Sequence, residues 1–304
     1  MSMQDAPPDL YGPESLNKAG SHSLLNAMSV DIEDWFQVGA FETVIDRADW
    51  DGLEFRVERN TDAVLQLFAD AGLRATFFTL GWVAERCPKL LERIAAAGHE
   101  VASHGYDHAR VYNMTAEQFR ADIDRARKIL EDASGQAVTG YRAPSFSIDQ
   151  RTPWAHPILA EQGYKYSSSV APIRHDHYGW ADSPRFAWKP VPGSDLIELP
   201  VTTVKAAGRT LAAGGGGFFR LLPYSLYDWA IGKIHADDGR GAIFYFHPWE
   251  IDPDQPRVKN APLKSKLRHY SRLSAMQAKL ERVCMEYQWG RVDELAALET
   301  ELAR

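Results

Sequence analysis

The sequence predicts an α/β fold whose parallel sheet closes, wholly or in part, into a barrel. Two observations carry this. Short apolar runs alternate with longer amphipathic stretches, the pattern of repeated strand–helix units. Seven such runs, at 27–31, 75–80, 100–103, 138–141, 164–168, 196–199 and 242–246, fall in one stretch of chain, which suits a barrel or an incomplete barrel better than an open sheet.

Between the runs lie helical segments with recognisable ends. One is expected to start at Asn60 as N-cap and to stop at Ala71 before Gly72. A second opens on Pro88, a favourable first helical residue, and ends at Gly98. Thr115 with Gln118 has the form of a capping box opening a long helix to about Asp132. From Pro262 onward the chain reads as helical, with Leu267, Tyr270, Leu273, Met276 and Leu280 spaced to face the barrel wall and no chemistry of its own. The expected organisation is a flexible arm over 1–24, a barrel over 25–250 and a C-terminal helical extension over 251–304 packed on it.

Composition excludes some roles. The 304 residues are 45% hydrophobic and 25% charged, enough for a sizeable core. The formal net charge of −7 leaves no basic excess for a phosphate backbone, so nucleic acid is not an expected partner. Cys87 and Cys284 make no disulfide framework and read as small hydrophobes. The first residues contain no apolar run, so neither a secretory signal nor a membrane span is expected, and the chain as it stands reads as cytoplasmic.

Chemistry-bearing residues cluster where strands end. Asp31, Glu33 and Asp34 follow the first run, His104 and His108 the third, Arg142 the fourth and His247 the last. In a parallel barrel the C-terminal strand ends form one mouth, so these clusters can converge. Histidines four apart on one helical turn can grip one divalent cation. A carboxylate from the first cluster would complete the set, either Glu33 or Asp34. The step out of the strand after Asp31 favours Asp34. A hydrolase also needs a base for its water, and Asp31 is suited to that. The competing reading of these acids is capping of the next helix. His247 could protonate a leaving amine, or be a satisfied core histidine. Arg142 would be costly at a buried strand end without an anionic partner, and could hold an aspartate in place.

Read in order as SVDIEDWF, HGYDH, RAPS and FYFHP, these motifs resemble those of the NodB-homology polysaccharide deacetylases, carbohydrate esterase family 4, over about residues 27 to 250. RATFFTLG resembles that family's strand before the metal histidines. SVDIEDWF, YRAPSFSI, PIRHDHYG, GGGGFFRLLPY and FYFHPWEIDPDQPR together resemble the subfamily of exopolysaccharide loci linked to exosortase and PEP-CTERM sorting. The resemblance implies a deformed (β/α)7 barrel and a divalent metal of the zinc type. It implies hydrolysis of N-acetyl groups on a polysaccharide or oligosaccharide substrate in exopolysaccharide biosynthesis. Asp31 keeps the base position, with His247 as acid and a backbone N–H, that of Tyr106 for example, stabilising the oxyanion. This sequence departs from the family pattern in its first motif, where Ile32 separates Asp31 from the next acid. It also lacks the aspartate that orients the late histidine, for which Asp176 is a substitute. The Gly214–Gly217 run, flanked by aromatics, is expected to be an ordered loop near the mouth. Two other readings remain: a hydrolase of a small cyclic amide or ureide on the same barrel, and a barrel that binds polysaccharide without cutting it.

Overall fold

A computed structural model describes residues 24–174 and 179–302. The arm over 1–24 and Asp176 therefore lie almost wholly or wholly outside the described residues.

The seven anticipated runs are all strands. They are β1 (Asn26–Ile32), β2 (Thr76–Thr79), β3 (Glu100–Ser103), β4 (Gly140–Tyr141), β5 (Tyr166–Ser167), β6 (Ile197–Glu198) and β9 (Ile243–Phe246). All pair in parallel, in the order β9-β1-β2-β3-β4-β5-β6. The architecture is a parallel barrel-like sheet with helices around it, as expected. Every residue of β1 is buried, because a central parallel strand is covered on both faces. No ladder joins β6 to β9. That gap is bridged by a bond from the Ile243 N–H to Thr202 Oγ1 and another from the Tyr245 N–H to the Gly214 carbonyl. Between them β7 (Thr203–Ala206) and β8 (Arg209–Ala212) form an antiparallel hairpin off the sheet.

The helices are α1 (Val57–Ala71), α2 (Gly81–Arg86), α3 (Pro88–Ala96), α4 (Ala116–Ser134), α5 (Ala155–Glu161), α6 (Gly216–Leu221), α7 (Tyr224–Asp238), α8 (Leu263–Tyr270), α9 (Met276–Glu286) and α10 (Val292–Leu302). The Thr115–Gln118 capping box opens α4 as expected. The start of α1 differs: it begins at Val57, three residues before Asn60, which is buried inside the helix. The glycine run is ordered, as anticipated. Gly215 bridges to Tyr245 at a φ of 113°, and a Cβ there would meet the Tyr245 carbonyl oxygen at 2.4 Å, so only glycine fits.

The C-terminal stretch is not a single helical face. Arg272 adopts a left-handed φ of 57°, breaking the chain between α8 and α9. Leu273, Met276 and Leu280 pack down, but Leu267 is 59% exposed because it precedes the break. A short strand missed by pattern, β10 (Trp289–Gly290), joins the start of β1, and α10 follows it into the barrel's lower end. There Val292, Leu295 and Ala296 pack with Ala27, Phe78 and Ala102. Two-residue strands carry too little periodicity to be read without their partners. No helix among the described residues is long and apolar enough to cross a membrane.

Candidate metal centre and active site

Strand geometry decides which acid of the first cluster reaches the mouth. Side chains alternate across a strand, so Asp31 and Glu33 share a face while Ile32 points into the core. Both acids line one cavity of about 370 Å³, together with His104, His108 and His247. Asp34, the acid favoured as ligand on sequence, turns away. Its carboxylate accepts from the Trp35 N–H at 2.8 Å and from the N–H groups of Arg56 and Val57 at 2.7 and 2.9 Å. It thus caps α1 from 23 residues upstream, which explains why Asn60 is not the cap. Asp34→Ala is expected to lower stability by about 1–3 kcal/mol in urea denaturation, from the lost cap and the orphaned buried N–H groups. Metal affinity should change little. A loss of affinity of about tenfold or more, with stability intact, would return Asp34 to the metal centre.

Glu33 joins the two histidines. One ligand atom from each of Glu33, His104 and His108 lies within 4.8 Å of the others. The pair stands on a loop, not on a helical turn as the four-residue spacing suggested. Gly105 at φ 75° and His108 at φ 60° bend the loop so that the rings meet 5.5 Å apart. A non-glycine residue in that conformation is strained backbone of the kind found at functional sites. The Tyr106 N–H, named as an oxyanion donor, is instead turned to Asp122 at 3.3 Å from both carboxylate oxygens, holding the loop to α4.

The donor set fits a divalent cation. His104 Nδ1 lies 2.9 Å from the Arg142 carbonyl, which can only accept; Nδ1 therefore carries the proton and Nε2 is left with its lone pair. Burial pushes the His104 pKa down to about 4, with the Asp31 charge opposing, so the ring is neutral as a metal ligand must be. His108 Nε2 lies 2.9 Å from the buried Glu33 Oε2. An imidazole nitrogen and a carboxylate oxygen at this separation suit a shared cation. Burial alone would raise Glu33, but the charges of His108 and His247 and the hydrogen bond from His108 outweigh it and hold the carboxyl at about 2. The Trp249 indole N–H donates to Glu33 Oε1 at 3.2 Å.

Asp31 is held from behind. Arg142 is wholly buried; its Nη1 donates to Asp31 Oδ1 at 2.7 Å and to Ser29 Oγ at 2.8 Å, and Nη2 donates to Ser168 Oγ at 3.1 Å. Arg142 is thus a positioning residue. His247 completes the group, its Nε2 3.5 Å from Glu33 Oε1.

Comparison with known proteins places this arrangement. Residues 49–167 match the family model described as Polysaccharide deacetylase. Over these residues, less than half of the chain, the protein is similar to polysaccharide deacetylases. Residues 168–297 match a second model, a domain of unknown function, DUF3473. A "Peptidoglycan deacetylase" of Helicobacter pylori is 34% identical over 116 residues, 38% of this chain and 39% of that one. A "Peptidoglycan-N-acetylglucosamine deacetylase" of Bacillus cereus is 31% identical over 96 residues, 31% of this chain and 35% of that one. This chain thus matches well under half the length of either relative. A crystal structure from Mycobacterium smegmatis, of a protein provisionally named a polysaccharide deacetylase, superposes with a TM-score of 0.59 at 20% identity. It covers 99% of this chain and 96% of that one, a likeness of fold.

Both matched segments line the cavity of about 370 Å³, while Asp31 and Glu33 come from the chain before either. The histidine pair comes from the first, whereas His247 and what orients it come from the second. The orienting acid is Glu250, which the sequence reading missed. His247 Nδ1 lies 2.9 Å from Glu250 Oε1, and the Arg220 guanidinium lies 3.1 Å from Glu250 Oε2. The local signal was present: in His247-Pro-Trp-Glu250 the acid sits three residues on, and the two form a capping box around a short helical turn. Burial works against the charged His247 ring, but Glu33 and Glu250 outweigh it and raise its pKa to about 9.

Proposed function

We propose that this protein is a metal-dependent hydrolase that removes N-acetyl groups from a polysaccharide. One observation carries the reading: Glu33, His104 and His108 converge in the same cavity as Asp31 and His247. A divalent cation at Glu33, His104 and His108, for which two imidazoles and a carboxylate favour zinc, would polarise the acetyl carbonyl and acidify a water. Asp31, fixed by Arg142, accepts the proton of the attacking water. His247, oriented by the bond between its Nδ1 and Glu250, gives its proton to the departing nitrogen. The products are acetate and a free amino sugar. The names of the Helicobacter and Bacillus relatives support N-acetylated glycan as substrate, and the likeness to the exosortase-linked subfamily supports an exopolysaccharide role. The cavity shares walls with a neighbouring groove of about 350 Å³, which suits a chain better than a small cyclic amide.

Acetate release from N-acetylated oligosaccharides tests this. Release is expected with the metal-loaded protein, lost on chelation and regained with zinc. No release across a panel of such substrates, from folded and metal-loaded protein, overturns it.

The charge on His247 gives a pH prediction. An ordinary histidine loses its proton near 6.5, whereas in the fold His247 holds it to about 9. Its favourable interaction is fully present below about pH 6.5 and is lost as pH rises through about 9. NMR titration of the metal-free protein should therefore find this imidazole far above the usual range. Glu250→Gln should move both that value and the alkaline limb of kcat/KM downward. An unmoved limb would remove Glu250 from any role in setting the acid.

A further inference from the structure

Two exposed apolar stripes meet beside the cavity. On α8, Leu263 and Leu267 are 72% and 59% exposed and stand four apart on one helix face. Phe218 of α6, Leu222 just after it, and Leu226 and Trp229 of α7 are each between 43% and 47% exposed. Phe218, Leu222 and Leu226 line one small pocket, and Phe218 shares a larger groove with Arg268 of α8. That groove runs on into the cavity, with which it shares Tyr245, His247, Trp249 and Arg268. Contiguous apolar side chains left in water on this scale mark a binding face.

The same surface is cationic. No Asp or Glu occurs between Gln255 and Leu280, on a chain whose net charge is −7. Lys264 of this stretch has a partner of its own. The other cations are Arg257, Lys259, Lys266, Arg268, Arg272 and Lys279. Arg257 donates to the Pro253 carbonyl, Lys266 to that of Lys259, Arg272 to that of Leu221 and Lys279 to those of Phe219, Arg220 and Leu222. These bonds all end on carbonyl oxygens, so among the described residues no carboxylate answers these charges. They also put Arg272 and Lys279 at the end of α6, beside the exposed Leu222. Nearby acids are engaged elsewhere: Glu42 with Arg110, Asp228 of α7 with Tyr287 and Glu286 of α9 with Arg282. α8 is anchored through its buried face. The Trp249 ring stacks on His247 at 5.2 Å and on His269 of α8 at 4.1 Å. The Arg220 guanidinium donates to the Arg268 carbonyl at 2.6 Å. The leucines and cations are therefore presented outward by a fixed helix.

We propose that α8, with the end of α6 and the start of α7, docks on the surface of an anionic lipid bilayer. Leucine and phenylalanine side chains enter the boundary between headgroups and acyl chains, and the lysines and arginines beside them meet the acidic headgroups. Trp229 suits the same boundary, where an indole keeps its apolar body in lipid and its N–H in water. The two halves of the surface decide between ligands. An acidic glycan would answer the cations and leave the leucines in water. A neutral apolar partner would cover the leucines and strip the cations of water with nothing in return. A bilayer with acidic headgroups satisfies both. Docking sets the cavity mouth beside the membrane, within reach of a molecule held at the lipid surface. The docking surface does not depend on the reaction assigned to the cavity.

Co-sedimentation of the full chain with lipid vesicles tests this. One set of vesicles is phosphatidylcholine alone, and the other contains about one-third phosphatidylglycerol. Binding to the acidic vesicles is expected to be roughly tenfold or more tighter than to the neutral ones, and to fall by a similar factor between about 0.1 and 0.5 M salt. Leu263→Ser with Leu267→Ser should weaken binding to acidic vesicles roughly tenfold, by removing apolar area from the boundary. Lys259→Glu with Lys266→Glu should weaken it by more, since each reversal also adds repulsion. Leu302→Ser, on an exposed residue of α10 at the barrel's lower end, should change nothing. All these side chains lie at the surface, and an unchanged urea midpoint confirms that each variant is folded. Equal binding to the two kinds of vesicle overturns the docking surface, as does no binding to either. Either double variant binding as the parent does also overturns it. A parent dimer that Leu263→Ser with Leu267→Ser turns into a monomer, without vesicle binding, assigns the face to a second copy of the chain instead.

Discussion

His247→Ala is expected to slow N-deacetylation by about 10²–10⁴-fold, the usual cost of losing an acid catalyst. Hydrolysis of an aryl acetate should suffer far less, because a phenolate departs without being protonated. The geometry gives the reason. His247 stands in the cavity with its side chain 19% exposed and its Nδ1 bound to Glu250, so Nε2 is the nitrogen directed to the reacting group. His104→Ala should remove activity on both substrates and weaken zinc binding in a calorimetric titration, since that ring belongs to the proposed metal site with Glu33 and His108. Parallel kcat/KM measurements on an N-acetylated oligosaccharide and a nitrophenyl acetate separate the two roles. Equal loss on both substrates in His247→Ala would assign this residue to positioning or oxyanion stabilisation instead.

Arg142→Leu should be the most destabilising single change in the site, by about 3–5 kcal/mol, because it leaves a buried carboxylate without its partner. Arg142 has no exposed surface and Asp31 is 3% exposed, so water cannot take over the lost interaction. The guanidinium also lies 4.0 Å from the Phe78 ring centroid, and those contacts go with it. Urea denaturation of the purified variant measures the loss. Adding Asp31→Leu to Arg142→Leu should recover part of it, since two apolar groups no longer strand a charge. A single variant within about 0.5 kcal/mol of the parent, the range of ordinary surface changes, would mean that the pair contributes no net stability.

The sequence by itself determined the sheet and the inventory of reactive groups. Strand positions were legible because each buried run is bounded by helices with strong end signals, such as Pro88 and the Thr115–Gln118 box. The convergence of Asp31, His104, Arg142 and His247 followed from one topological fact: parallel strands deliver their C-terminal ends to one mouth. What the sequence could not supply was anything set by contacts between distant segments. Asp34 became a helix cap because α1 approaches it from 22 and 23 residues downstream, and no local pattern records that approach. Glu33 stands beside the histidines because strand alternation carries through β1 past Ile32 and turns it toward them. Those histidines meet through the left-handed backbone at Gly105 and His108, a loop bend that a helical spacing rule cannot anticipate. The placement of α8 at the mouth depends on the stack of His247, Trp249 and His269, which joins two segments by packing alone. Local sequence encodes elements and residue chemistry through short-range sterics and hydrogen bonding. Which acid caps a helix, which meets the histidines and which helix borders the cavity are settled only when the barrel brings remote surfaces into contact.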